Sequence, residues 1–138
     1  MGRIIAVDVG ERRIGVAMSD LLGITAQPVE TYRRKNRTTD IEYFLKLLAE
    51  KDAELIVCGL PLNMNGTEGS QAFDTREFAD ELSAASGIAV KYVDERLTTA
   101  MARRSLIEGG MRREKRKNVV DQVAAVHILQ TYMDSTKR

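Results

Sequence analysis

Residues 3–19 read RIIAVDVGERRIGVAMS. Arg3 to Val9 reads as a strand that is apolar from Ile4 onward except for one internal carboxylate, Asp8, and the turn Gly10-Glu11-Arg12-Arg13 separates it from a second run, Ile14 to Ser19. Two short strand-like runs around a tight turn predict an antiparallel hairpin. A strand as apolar as the first is ordinarily covered on both faces, which suits the middle of a sheet. A lone carboxylate there is costly, because apolar neighbours offer it no hydrogen bonds. Asp8 therefore needs a partner.

Outward from the hairpin, Asp20 to Gly23 reads as a turn and Ile24 to Tyr32 as a third strand, with Pro28 suited to a sheet edge. The period then changes: Ile41, Phe44, Leu45 and Leu48 fall at helical spacing, with Thr39 and Asp40 as caps. Glu54 to Gly59 is a fourth strand, and LPLNMNGTEGS follows it as a loop. Ser70 is the expected N-cap of a helix to about Ala85, with Phe73, Phe78 and Leu82 at apolar positions, and Gly87 closes it. Ile88 to Val93 is a fifth strand, and DERLTTAMARRSLIEGG reads as a helix ending at Gly109-Gly110. MRREKRKN reads as a polar, mobile connection before a last helix capped by Asn118 and running to about Met133. Hairpins first and crossover helices later imply an α/β domain, a mixed five-stranded sheet with helices on both faces.

Composition narrows the chemistry. The 43% hydrophobic and 30% charged content of the 138 residues excludes disorder and fits one domain spanning 1–138. No run approaches the roughly 20 apolar residues of a membrane span and no signal-peptide pattern leads the chain, so a cytoplasmic protein without membrane partners is expected. The single Cys58 and single His127 exclude an internal disulfide, a cysteine cage and a histidine-rich metal site. Carboxylates are left as the reactive groups. The net charge of +1 hides an asymmetry: residues 100–117 carry +5, from cations that include Arg103, Arg112, Arg113, Lys115, Arg116 and Lys117. A second basic cluster is Arg33, Arg34, Lys35 and Arg37. One such cluster is commonly a solvated surface; two, beside acidic motifs, point to a phosphate-bearing partner.

In a sheet of this kind ligands sit beyond the carboxyl ends of parallel strands. Asp8 ends the first strand, the Asn- and Gly-rich loop leaves the fourth, and Asp94 and Glu95 leave the fifth. Asp121 belongs to the first turn of the last helix. A carboxylate there also serves the helix dipole, and charged residues commonly end strands, so only Asp8 lacks an ordinary explanation. Carboxylates gathered within about 4 Å repel by about 1 kcal/mol per pair in water and about 4 near a protein surface, so a shared cation is required. Hard oxygen donors without histidine or thiolate select Mg²⁺ or Mn²⁺, and a pair of such ions serves phosphodiester cleavage.

Four segments carry a family likeness: VDVGERRIGVAMSD (7–20), VCGLPLNMNG (57–66), DERLTTAMA (94–102) and DQVAAVHIL (121–129). In this order they resemble the motifs of the YqgF/RuvX family, single-domain RNase H-like proteins described as Holliday junction resolvases and as nucleases of pre-16S ribosomal RNA maturation. The resemblance implies strand order 3-2-1-4-5 and places the catalytic, metal-holding acids at Asp8, Glu95 and Asp121. Strand alternation leaves Asp94 and Glu95 open; the choice of Glu95 follows the family. Relative to the bacterial junction resolvase proper, one acid is moved from the fourth strand, where this chain has Gly59, to the fifth.

Arg12 and Arg13, in the turn beside Asp8, either contact substrate phosphate or solvate the turn. Asn63, Asn65, Gly66 and Gly69 either admit a nucleic-acid backbone or make an ordinary turn. Arg96 and Thr98 follow Glu95 and are candidates to steady a phosphate. His127 and Cys58 read as packing residues. The resulting expectation is a Mg²⁺- or Mn²⁺-dependent endonuclease with two ions, acting in 5′-end maturation of pre-16S ribosomal RNA. A resolvase of four-way DNA junctions, which would require a symmetric homodimer, and a non-catalytic RNA-binding module are the alternatives. An aromatic content of 5% supplies no stacking platform that would separate RNA from DNA.

Overall fold

The hairpin at residues 3–19 forms the middle of the sheet. The computed structural model describes residues 2–97 and 113–136, with side chains for 2–96 and 121–136. Strands β1 (Arg3–Val9), β2 (Arg13–Ser19) and β3 (Ala26–Arg33) lead to helix α1 (Arg37–Glu50). Then come β4 (Ala53–Leu60), α2 (Ser70–Ser86), β5 (Val90–Asp94), a single 3₁₀ turn at Glu95–Leu97, and helix α3 (Arg113–Thr136). The sheet order is β3-β2-β1-β4-β5, with β1 antiparallel to β2 and parallel to β4, and β4 parallel to β5. Pro28 lies on edge strand β3, where a missing N–H costs no ladder bond on the open side.

Strand alternation divides the core in two. Ile5, Val7 and Val9 face α1 and α2, where Phe44, Leu48, Phe78 and Leu82 complete one cluster. Ala6, Ala17 and Val57 face α3 and its Ala125, Ile128 and Leu129. The residues under α3 are small, so that helix comes down close on the sheet. An added Cβ at Gly15 would lie 1.9 Å from the Asp121 carbonyl oxygen, and one at Gly59 would lie 2.4 Å from Ile128 Cδ1. Side chains at those two positions would hold α3 away.

Several boundaries differ from expectation, each for a local reason. The N-cap of α1 is Asn36, whose side chain accepts from the Thr39 N–H at 2.9 Å, rather than Thr39 or Asp40. Asp40 is instead buried, accepting from Tyr32 Oη at 2.7 Å and from the Lys35 N–H at 2.9 Å. Ser70 is the first helical residue of α2, behind the N-cap Gly69, and Phe73 points to solvent. Ile24 belongs to an extended turn, where its N–H binds the Asp20 carboxylate at 2.8 Å. Gly87 closes α2 with a φ of +75°, as its type predicts. Helix α3 already runs at Arg113, so Asn118 is no cap, and residues 113–117 are helical rather than a mobile connection. The helix expected from Asp94 begins as the 3₁₀ turn, and its remainder lies outside the described residues.

Candidate active site

Asp8 is 6% exposed and lies on the α3 face of the central strand, two residues beyond Ala6. Its partner in the β1–β2 register is Gly15. On the other flank Val7 pairs with Cys58, and the parallel ladder carries on to set Gly59 level with Asp8. Both neighbours of the buried carboxylate thus lack side chains; the α3 backbone at Asp121 takes the space over Gly15, and Ile128, with Glu95 just beyond it, takes the space over Gly59.

Over Gly15 lies the Asp121 backbone, contributed by α3. Over Gly59 lies Glu95, whose carboxyl carbon would be 3.6 Å from an added Cβ. Adjacent strands lie about 4.8 Å apart, so Glu95 is brought one strand spacing from the column of Asp8. The buried Cys58 thiol, on the opposite face, registers this charge: burial first, then the negative charges of Asp8 and Glu95, push it well above its usual value.

The structure separates Asp94 from Glu95. Asp94 pairs with Arg96 (Oδ2 to Nη2, 2.7 Å), and hydrogen bonds from Arg96 hold its carboxyl below the usual range. Val93 packs on the α3 cluster and Tyr92 on the other; β5 ends at Asp94, and the 3₁₀ turn that follows brings the Glu95 carboxyl over Gly59. Asp121 is also engaged: its Oδ2 accepts from Arg13 Nε at 2.7 Å, with side-chain exposures of 14% and 30%. Among the described residues no three His, Cys, Asp or Glu side chains form a ready metal cage.

The other nucleic-acid candidates have definite places. Arg12 is exposed in the hairpin turn. Asn63 donates to Thr67 Oγ1 at 3.0 Å, and Asn65 accepts from the same hydroxyl at 2.6 Å, so both amides shape their own loop. Gly66 has φ +87°, which only glycine takes readily, and its N–H donates to the Asn63 carbonyl at 2.8 Å. Arg96 ties that loop to β5, donating to the Met64 carbonyl at 3.0 Å. Thr98, Arg103 and Arg112 lie outside the described residues; Arg113, Lys115, Arg116 and Lys117 are on the first turns of α3. His127 is exposed. Sequence reasoning missed the spacing roles of Gly15 and Gly59; the available signal was a glycine inside an otherwise apolar strand.

The model of the RuvX family, described as Holliday junction resolvase, matches residues 2–135. The chain belongs to the RuvX family. A relative in Heliobacterium modesticaldum, named as a candidate pre-16S rRNA nuclease, is 51% identical over 96% of this chain and 89% of its own. One of the same name in Clostridioides difficile is 50% identical over 96% and 94%. Among solved structures, Thermus thermophilus RuvC in complex with a Holliday junction substrate aligns over 99% of both chains, with TM-score 0.62 and 11% identity. The fowlpox virus Holliday junction resolvase aligns over 96% of this chain and 99% of its own, with TM-score 0.58 and 13% identity. The RuvX chain thus has the RNase H-like fold of these resolvases.

Proposed function

We propose that this RuvX protein is a divalent-metal-dependent endonuclease that hydrolyses a phosphodiester bond near the 5′ end of pre-16S ribosomal RNA. The observation that carries the reading is the buried Asp8 between two glycines, with Glu95 over one and Asp121 over the other. Family membership and the names of relatives about half identical in sequence support the reaction class and the substrate.

The donor set suits a hard ion. Asp8, Glu95 and Asp121 offer only carboxylate oxygens, while Cys58 faces the other side of the sheet. These three would hold Mg²⁺ or Mn²⁺, with two ions at full occupancy. A bound ion supplies an activated water and charge relief at the leaving oxygen. The chain's own residues do the positioning. The rigid centre of the sheet fixes Asp8, the 3₁₀ turn after β5 delivers Glu95, and α3 carries Asp121, whose contact with Arg13 would be displaced by an incoming ion. Arg12, exposed at the same rim, would meet a phosphate oxygen.

The test is cleavage of a 5′-extended 16S precursor, and of a four-way DNA junction, by purified protein with Mg²⁺, Mn²⁺ or EDTA. Asp8→Asn removes one ligand charge at constant volume and is expected to lower RNA cleavage by at least about 100-fold while the unfolding midpoint is retained. Equal turnover in Asp8→Asn would remove the acids from the mechanism. Cutting of the junction alone would transfer the activity to branched DNA.

A further inference from the structure

A cleft of about 720 Å³ opens at the same rim, on the side of the sheet away from α3. One wall is the β3–α1 connection with the hairpin turn, and the other is the start of α2. We propose that this cleft is a second phosphate-binding site, holding the substrate's nucleic-acid backbone at phosphates other than the one cut. The proposal rests on the nuclease reading above and adds a path for the chain of the substrate.

The first wall is rigid and positively charged. The Arg34 N–H donates to the Arg12 carbonyl at 2.8 Å, and its Nη1 donates to the Gly10 carbonyl at 2.9 Å. Asp40, the buried acid of the cleft, is consumed internally by Tyr32, Arg34 and the Lys35 N–H. Because the backbone is pinned, the exposed Arg12, Arg33 and Lys35 project from fixed points, and among the described residues none of their side chains has an ion-pair partner. Glu11 and Asp74 also border the cleft, at exposed positions.

The second wall contributes independently. Helix α2 starts at Gly69 with no side chain capping it and no acidic residue in its first turn. Its first N–H groups, with the positive end of the helix dipole, face the cleft bordered by Ser70 and Gln71. Opposed cations and an uncapped helix start make a seat for anions, and the absence of aromatic side chains from the lining favours backbone over base. Val9 and Gly10 line the cleft directly after Asp8, so one strand could run from the acids into it.

The experiment uses the double variant Arg33→Gln/Lys35→Gln. Binding of a fluorescein-labelled RNA oligonucleotide spanning the precursor 5′ end is followed by anisotropy in the Asp8→Asn background, from 50 to 300 mM KCl. Affinity should fall roughly fivefold per lost cation, and the slope of log K against log salt should become shallower by about 0.7 per single-strand phosphate. In the cleaving background KM should rise with kcat within about twofold. Lys46→Gln/Lys51→Gln, at the far end of α1, controls for net charge. An unchanged salt slope in the cleft variant, or an equal change in the control, would overturn the proposal. Binding is read apart from cleavage, so either result leaves the nuclease reading to the Asp8→Asn assay.

Discussion

At the scale of single residues, the contact between Arg13 and Asp121 matters most. The guanidinium 2.7 Å away takes a lone pair on Asp121 Oδ2 and repels a second cation, so Arg13 and a metal ion compete for Asp121. Arg13→Gln is expected to tighten Mn²⁺ binding, measured by calorimetry without nucleic acid, by about threefold to tenfold. Unchanged or weaker binding would mean that Arg13 does not hold Asp121 away from the metal. The pairing was not legible in the sequence, since the partners are 108 positions apart and arginine in a turn has an ordinary role as a solvated charge. Asp8 was legible, because nothing in an apolar strand accounts for a carboxylate. The choice between Asp94 and Glu95 depended on where β5 gives way to a 3₁₀ turn, which period-two alternation alone does not reveal.

At the scale of elements, the site depends on how closely α3 approaches the sheet. Gly15 admits the backbone of α3 itself, and a backbone carbonyl 1.9 Å from an added Cβ cannot rotate away. Gly15→Ala should therefore cost about 1–3 kcal/mol in urea unfolding and displace Asp121, with cleavage falling alongside. Gly59→Ala should cost less, because the nearest atom is the end of the Ile128 side chain, which has other rotamers. If the two variants proved equally stable, close approach of α3 at Gly15 would not be what places Asp121. Helix boundaries were less legible than helix faces. Asn36 and Gly69 took the cap positions expected of Thr39 and Ser70 because several polar residues compete at each start.

At the scale of the whole molecule, the two halves of the core differ in kind. The α1/α2 side is aromatic, with Tyr32 stacked on Tyr43 (centroids 4.2 Å apart) and Phe44 edge-on to Phe78. Its tyrosines share one pH signature. Burial, then the hydrogen bond to Asp40, pushes the Tyr32 phenol up to about 12. Burial, then Glu30 and Asp80 respectively, raises Tyr43 and Tyr92 as well. Each phenol is neutral in the native state at a pH where the unfolded chain ionises near 10, so its contribution is complete below pH 10 and is lost as pH rises from 10 toward 12. The urea midpoint should fall across that interval, and Tyr32→Phe should reduce the fall. A midpoint that stayed level from pH 9.5 to 12 would contradict this assignment.

Apolar period and tight turns sufficed for a mixed five-stranded sheet, and four ordered motifs, through the family they resemble, supplied its strand order, because all of these are local signals that tertiary packing reinforced. The sequence by itself also singled out Asp8, whose cost in an apolar strand can be read one residue at a time. Tertiary packing was needed to set Gly15 and Gly59 beside Asp8 with Asp121 and Glu95 near them, to join Arg13 to Asp121, and to bury Asp40 against Arg34 while Arg12, Arg33 and Lys35 stay exposed. These are relations across strands and between distant segments. They depend on register and on the closeness of α3, neither of which is written in any short stretch of the chain.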